Sequence, residues 1–340
     1  MKAVIADRTD RLVLAEVPTP SIEPDQVLVR VANTGFCGSD HSMVESGNLP
    51  DGYIIGHETS GLVADMGAQV KGVQEGSRVI IRPTFCGDCP DCRAGKPYFC
   101  QNNRRTIGIG DLPGAMAEYI TVYPQMLIPV PDGVDSRSAA LAEAFSASLH
   151  AVNLIGKQGG SALVIGGGAI GLALVSLLKI VGFGPVALSE PVEEKRKIGE
   201  KYGADMVIDP FNEDLGQCVF AGTRGLGFET VFECSGAPAS IQSAMDAAAR
   251  GGTVCVVSVI GQPVNIVPIT LNFKEIWLTG SYSNTHEENI QCLNWMARGQ
   301  LDVRPLITDL IPLEQLPRVY RERIQPGKAV KVMVQIGEEF

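Results

Sequence analysis

Apolar and polar residues alternate over short spans in the N-terminal part of the chain. Gln26 to Ala32 reads QVLVRVA, the period-two pattern of a strand with one buried face. Gly61-Leu-Val-Ala and Ser77-Arg-Val-Ile-Ile repeat that texture. Pro and Gly clusters between them mark turns, as in an all-β barrel with loops. Near residue 145 the period changes. Ser146–Ile155 predicts a helix, Ala162–Ile165 a buried strand and Ala169–Val181 an apolar helix. Val186–Ser189 predicts a further strand, and Pro191–Tyr202 an amphipathic helix with proline in its first turn. Val207-Ile-Asp, Thr230-Val-Phe-Glu-Cys, Thr253-Val-Cys-Val-Val and Ile276-Trp-Leu-Thr continue the alternation. That rhythm predicts an α/β protein with a parallel, doubly wound sheet. One more helix, Glu287–Arg298, and strand character at Ala329–Val334 follow it.

A length of 340 residues favours two domains over one core. Hydrophobic residues at 45% and charged residues at 19% suit a packed globular protein. The net charge of −10 would repel phosphate backbones and anionic headgroups, so neither nucleic acid nor a membrane surface is an expected partner. The opening MKAVIADRTD lacks the apolar run of a signal peptide, which gives a cytoplasmic expectation. Gly159–Leu178 and Gly251–Phe273 carry no charge, and Gly167 with Gly171 forms a G-x-x-x-G pair. Lys157 and Lys179 bracket the first stretch closely, and Pro263 and Pro268 interrupt the second. Both therefore read as buried strands and turns rather than as membrane spans.

Two groups of residues carry chemistry of their own. Cys86, Cys89, Cys92 and Cys100 form C-x-x-C-x-x-C-x7-C, out of nine cysteines in all. Four thiolates at this spacing can close a tetrahedron around a structural zinc and leave no open position. A ferredoxin-like iron–sulfur cluster is the nearest rival, but such runs space the last cysteine differently. The second group is Gly166-Gly-Gly168-Ala169-Ile170-Gly171, between a buried strand and an apolar helix. Its glycines allow a tight turn and close backbone approach, and the helix N-terminus attracts a pyrophosphate. Glu190 ends the next strand, where a carboxylate accepts both ribose hydroxyls of NAD and repels the 2′-phosphate of NADP. The competing role for Glu190 is to cap the helix that starts at Pro191.

The cysteine run resembles the structural-zinc lobe of the zinc-containing medium-chain dehydrogenases, in their sorbitol, polyol and threonine dehydrogenase-like branch. Upstream, Gly35-Phe-Cys-Gly-Ser-Asp resembles the family's G-x-C-G-[ST]-D, and Gly56-His-Glu its G-H-E signature. Gly76-Ser-Arg-Val79 stands at the place of its G-D-R-V, and Glu143 lies in A-E-A-F-S. The resemblance runs in order along essentially the whole chain. It implies a GroES-like β-barrel catalytic domain over residues 1–144 and 283–340, with a Rossmann NAD-binding domain over 145–282. It places the active-site cleft between them.

The resemblance also implies a second, catalytic zinc with three protein ligands and one position for substrate. Cys37 and His57 match the thiolate and imidazole ligands, and Glu143 the glutamate of the polyol branch, with Ala144 where proline is usual. Glu58 matches an acidic residue behind the metal that can exchange onto it. One thiolate and one carboxylate would neutralise the dication and leave it a Lewis acid toward an alcohol. Ser39 matches the hydroxyl that takes the alcohol proton. The usual relay histidine is replaced by Ser42, leaving His41 or water to carry the proton on.

The implied activity is reversible hydride transfer between an alcohol, such as a polyol or sugar, and NAD. Amino-alcohols such as threonine and anionic sugar derivatives are alternatives. Ser281-Tyr-Ser-Asn284 departs from the Arg-Tyr pair of sorbitol dehydrogenases, and Arg104-Arg105 offers charge for an anionic substrate. A zinc-stabilised binding protein on the same scaffold is the non-enzymatic alternative. Loss of Cys37, Ser39 or Glu143 would mark it, and all three are present. A homodimer or homotetramer is expected, with Thr253–Leu278 supplying edge strands across a two-fold axis.

Overall fold

The chain divides into two compact units, described by a computed structural model over residues 1–340. One comprises Met1–Glu143, Thr285–Gly299 and Ile307–Phe340; the other comprises Ala144–Asn284 and Gln300–Leu306. Fifteen strands are distributed between them.

In the first unit β1 (Lys2–Asp7) and β2 (Arg11–Glu16) form an antiparallel pair. The larger sheet contains β3 (Val27–Phe36), β4 (Glu58–Met66), β5 (Arg78–Ile81), β6 (Tyr119–Val122) and β7 (Leu127–Pro129). Two strands from the C-terminal segment join it. Across that sheet the order is β14 (Ile307–Pro312), β15 (Lys331–Gln335), β3, β4, β5, β7, with β6 also paired to β3. The alternation seen in QVLVRVA is realised in β3: Val27, Val29 and Val31 are fully buried, while Leu28 and Arg30 are only partly so. Val63, Val79 and Ile81 join the same cluster. A second cluster holds Phe36, Tyr320, Val332 and Val334. β3 thus lines one core near its start and another at its end, where Cys37 follows.

The second unit has a six-stranded sheet built from β8 (Gly160–Ile165), β9 (Phe183–Ser189), β10 (Met206–Ile208), β11 (Phe228–Glu233), β12 (Ala248–Val256) and β13 (Trp277–Gly280). The order is β10-β9-β8-β11-β12-β13, and every pairing is parallel. This is the doubly wound arrangement, whose ligand edge lies outside the carboxyl ends of the strands where the order reverses at β8. Strands in such a sheet are covered on both faces; accordingly Ala162, Leu163 and Val164 are all fully buried.

Several element boundaries differ from the pattern-based expectation, and three have a clear local reason. The helix expected from Ser146 starts at Ala142, because Ala142, Ala144 and Phe145 are fully buried and packing extends it. The helix expected from Pro191 starts at Glu193, since the Val192 amide donates to the Glu190 side chain at 2.9 Å and turns the chain first. β12 begins at Ala248 rather than Thr253, through a Phe228↔Ala248 pairing followed by a bulge. The uncharged stretch Gly159–Leu178 is β8, a glycine turn and part of the helix Ala169–Ile180. No helix is long and apolar enough to cross a membrane.

Candidate active site and metal centres

The four clustered cysteines lie on one loop with every Sγ within 4.8 Å of the others. Backbone amides point into the group: Cys89 N donates to Cys86 Sγ at 3.3 Å, and Cys86 N to Cys100 Sγ at 3.4 Å. Cys89 caps the short helix Pro90–Arg93, its Sγ accepting from Cys92 N. Burial raises the Cys100 thiol, but amides of Cys86, Asn103 and Asn102 outweigh it and bring the group down to about 6. Cys86 and Cys92 are shifted the other way, upward. None of the chain's cysteines is in a disulfide. Four converging sulfurs with amides that favour thiolate are the donor set of a closed zinc site.

A second group forms where β3 ends and β4 begins. Cys37 is the N-cap of the helix Gly38–Ser46, and its amide donates to Asp40 Oδ2 at 2.9 Å. Asp40 is fully buried, and its Oδ1 lies 3.2 Å from His57 Nδ1. That bond leaves His57 Nε2 to face the other way, where Ser39 Oγ stands 3.4 Å from it. A ligand atom of Glu58 completes a set with Cys37 and His57, all within 4.8 Å of one another. Burial lowers the His57 pKa, yet the Asp40 carboxylate and the Cys37 sulfur more than offset this and raise it well above the usual value. A buried ring flanked by the Asp40 carboxylate and the Cys37 sulfur fits a cation site.

Glu143 lies in the first turn of the helix Ala142–Ile155 and is not one of that set of three. Its carboxylate lies 3.3 Å from the Arg82 guanidinium, which is 4% exposed. Burial lowers the Arg82 pKa, against the opposing pull of Glu143 and Glu58. Glu58 is also paired: Lys331 Nζ lies 2.7 Å from both of its carboxylate oxygens and 3.3 Å from Phe36 O. Burial lowers the Lys331 pKa, but Glu58 and Cys37 outweigh it and the net shift is upward. Sequence reasoning missed Asp40, Arg82 and Lys331. Their only signals were a charged residue starting an apolar strand (Lys331), one ending such a strand (Arg82), and an aspartate three residues after Cys37.

The other singled-out polar residues have definite partners. His41 Nδ1 is 3.2 Å from Tyr320 OH, which donates to Glu45 at 2.6 Å. Arg105 pairs with Asp111 at 2.6 Å and lies over the Tyr123 ring. Arg104 donates to Tyr98 O at 3.2 Å.

In the second unit Gly168 is the N-cap of the helix Ala169–Ile180, so Gly166 to Gly171 span the strand-to-helix turn. A Cβ on Gly171 would lie 1.8 Å from Gly166 O, a contact that only glycine permits. Glu190 is 5% exposed, and one carboxylate oxygen accepts from Gly167 N at 2.6 Å. Arg196, the nearest arginine in sequence, is turned to the Glu190 and Pro191 carbonyls and to Asp209.

Comparison with known proteins agrees with this geometry. The family model for the alcohol dehydrogenase GroES-like domain matches residues 23–132, and that for zinc-binding dehydrogenases matches 169–298. A sorbitol dehydrogenase of Bacillus subtilis (strain 168) is 30% identical, over 98% of this chain and 97% of that one. A 2-dehydro-3-deoxy-L-galactonate 5-dehydrogenase of Pseudoalteromonas atlantica is 32% identical, over 92% of each. A solved structure from Sinorhizobium meliloti 1021, with NADP bound, superposes with a TM-score of 0.89 at 32% identity and covers 98% of both chains. The chain belongs to the zinc-containing medium-chain dehydrogenases of the alcohol dehydrogenase superfamily. Within that class it falls in the polyol- and threonine-dehydrogenase-like branch, and it is a zinc-dependent, NAD(P)-linked alcohol oxidoreductase.

Replacing Cys92 by Ser opens the sulfur quartet and should lower bound zinc from two per chain to one, by metal analysis. The melting temperature should drop by on the order of 5–10 °C, since each kcal/mol is worth roughly 2–4 °C in a domain of this size.

Proposed function

We propose that this enzyme reversibly oxidises a secondary alcohol of a polyol or sugar derivative, with NAD as hydride acceptor. The observation that carries this reading is the buried group of Cys37, His57 and Glu58 beside the Ser39 hydroxyl. Those three side chains would hold the catalytic zinc, with Glu143 close by and neutralised by Arg82. Zinc, when bound, supplies Lewis acidity that makes an alcohol hydroxyl easier to deprotonate. Asp40 orients His57 through Nδ1 and keeps its Nε2 turned to the site. Ser39 would take the alcohol proton while the carbon gives its hydride to the nicotinamide. His41 is engaged with Tyr320, so the onward proton step falls to water. The catalytic domain is proposed as residues 1–144 and 283–340, and the coenzyme domain as 145–282.

A substrate panel read by nicotinamide absorbance, with metal-stripped and zinc-restored samples, tests the reading. Turnover of polyols or sugars with NAD, lost on stripping and restored by zinc, is the expected outcome. On the active substrate, Ser39→Ala should lower kcat by about 10²–10⁴-fold with zinc content unchanged. Absence of turnover in zinc-replete protein across the panel would sink the proposal. Sugar acids are the second reading, favoured by the 32% identical galactonate-series relative, and belong in the same panel.

NAD preference rests on Glu190, whose buried carboxylate would oppose a 2′-phosphate at the ribose. Glu190→Gln should therefore raise the NADP-to-NAD ratio of kcat/KM by about tenfold or more. An unchanged ratio would assign Glu190 to helix capping alone.

Assembly into a homodimer or homotetramer fits β13, the last strand of its sheet. Its free edge carries Trp277, 76% exposed, and Leu278, 40% exposed, close to Phe273 at 76%. A second copy pairing there would cover edge and rings together. Light scattering should give a dimer or tetramer, and Trp277→Asp should shift it toward monomer. Nine cysteines without a disulfide suit the reducing cytoplasm.

A further inference from the structure

Two carboxylates of the catalytic unit are held by buried cations that sequence reasoning did not anticipate. Glu58 and Lys331 are 1% and 2% exposed at the side chain, with the ammonium equidistant from both oxygens. Taking both charges out of water is costly, so such a pair is poor evidence for stability alone. Its position is informative. Glu58 is also one of the three groups within 4.8 Å that could hold a metal ion. The same carboxylate therefore faces two cation positions, one filled by Lys331 and the other between Cys37 and His57. Room for it is kept by Gly35, its register partner on β3. A Cβ at Gly35 would lie 2.2 Å from Glu58 Oε2.

The charge balance points the same way. Arg82 offsets Glu143 and Lys331 offsets Glu58, while Asp40 is engaged by His57. Cys37, the remaining anionic ligand, shares Lys331 with Glu58 rather than having a cation of its own. A dication there would meet a modest negative charge instead of an excess, and would keep more of its pull on a substrate oxygen.

We propose that Lys331 is a positioning residue that competes with the catalytic zinc for Glu58, and so limits how tightly the site holds metal. The proposal rests on the assignment of Cys37, His57 and Glu58 as zinc ligands. Removing Lys331 withdraws a positive charge from beside a cation site and releases a carboxylate to it. Both effects tighten metal binding, whereas loss of a purely structural residue would loosen it.

The test uses the full-length enzyme, wild type and Lys331→Met, with Lys331→Gln as the second variant should the first fold poorly. Zinc affinity at the catalytic site is measured by chelator competition, and the cobalt-substituted site by its visible spectrum. Lys331→Met should hold catalytic zinc about tenfold more tightly, the scale typical of a residue directly behind a ligand. The cobalt bands should shift and kcat should fall. Lys331→Arg, which keeps the charge, should stay near wild type, and adding Glu58→Gln to Lys331→Met should abolish the gain. Two metals per wild-type chain with unchanged or weaker binding in Lys331→Met and Lys331→Gln would overturn the competition alone. A single metal per wild-type chain would overturn the zinc-ligand assignment and this proposal with it.

Discussion

Buried charge is the constraint around which the catalytic unit is organised. Asp40, Glu58, Arg82 and Lys331 are all nearly or wholly excluded from water, and an isolated ion in that position would cost several kcal/mol. Each is stabilised by a partner supplied by a different segment. Asp40 takes the Cys37 amide and the His57 ring, Glu58 takes Lys331, and Arg82 takes Glu143. These pairs fix the ends of β3, β4, β5 and β15 relative to one another, and they do so at the point where Cys37 and His57 converge. Hydrophobic clusters on β3 supply the bulk of the burial, but the ion pairs determine which side chains meet.

The two metal centres solve different physical problems with overlapping chemistry. The sulfur quartet comes from a single loop, with amides aimed at its own thiolates. Its geometry is local, and four sulfurs would saturate a zinc held there. The Cys37, His57 and Glu58 group draws on two strand ends, and its surroundings are tuned by Asp40 and Lys331, from a helix and a distant strand. A reactive centre needs that second arrangement, because orientation and charge can be set independently of the ligands.

Local geometry was legible in the sequence to the extent that it is encoded locally. The cysteine spacing, the glycine turn and the alternation of β3 each need only a few consecutive residues, and each is found where its pattern placed it. Lys331 is 273 residues from Glu58, so no window of sequence contains both. Its place at the head of an apolar strand carries no local mark of a buried charge. The early start of the helix at Ala142 escaped for a related reason: the run Ala142-Glu143-Ala144 has no strong period, and burial by the rest of the unit decides its conformation. The family resemblance implied Glu143 as a ligand; in the fold it also faces Arg82, a residue whose approach only the tertiary structure reveals.

The catalytic unit is assembled from both ends of the chain, with the parallel-sheet unit inserted between them. During synthesis β3 emerges early and pairs with β4, yet the Asn33–Phe36 stretch gains its β15 partner only after more than two-thirds of the chain has followed. Until then a sheet edge stays open and Glu58 has no ammonium beside it. The first unit to begin is thus the last whose chain is complete. A nascent chain halted before residue 331 would carry every cysteine and histidine of both metal centres and still lack the cation that closes the site.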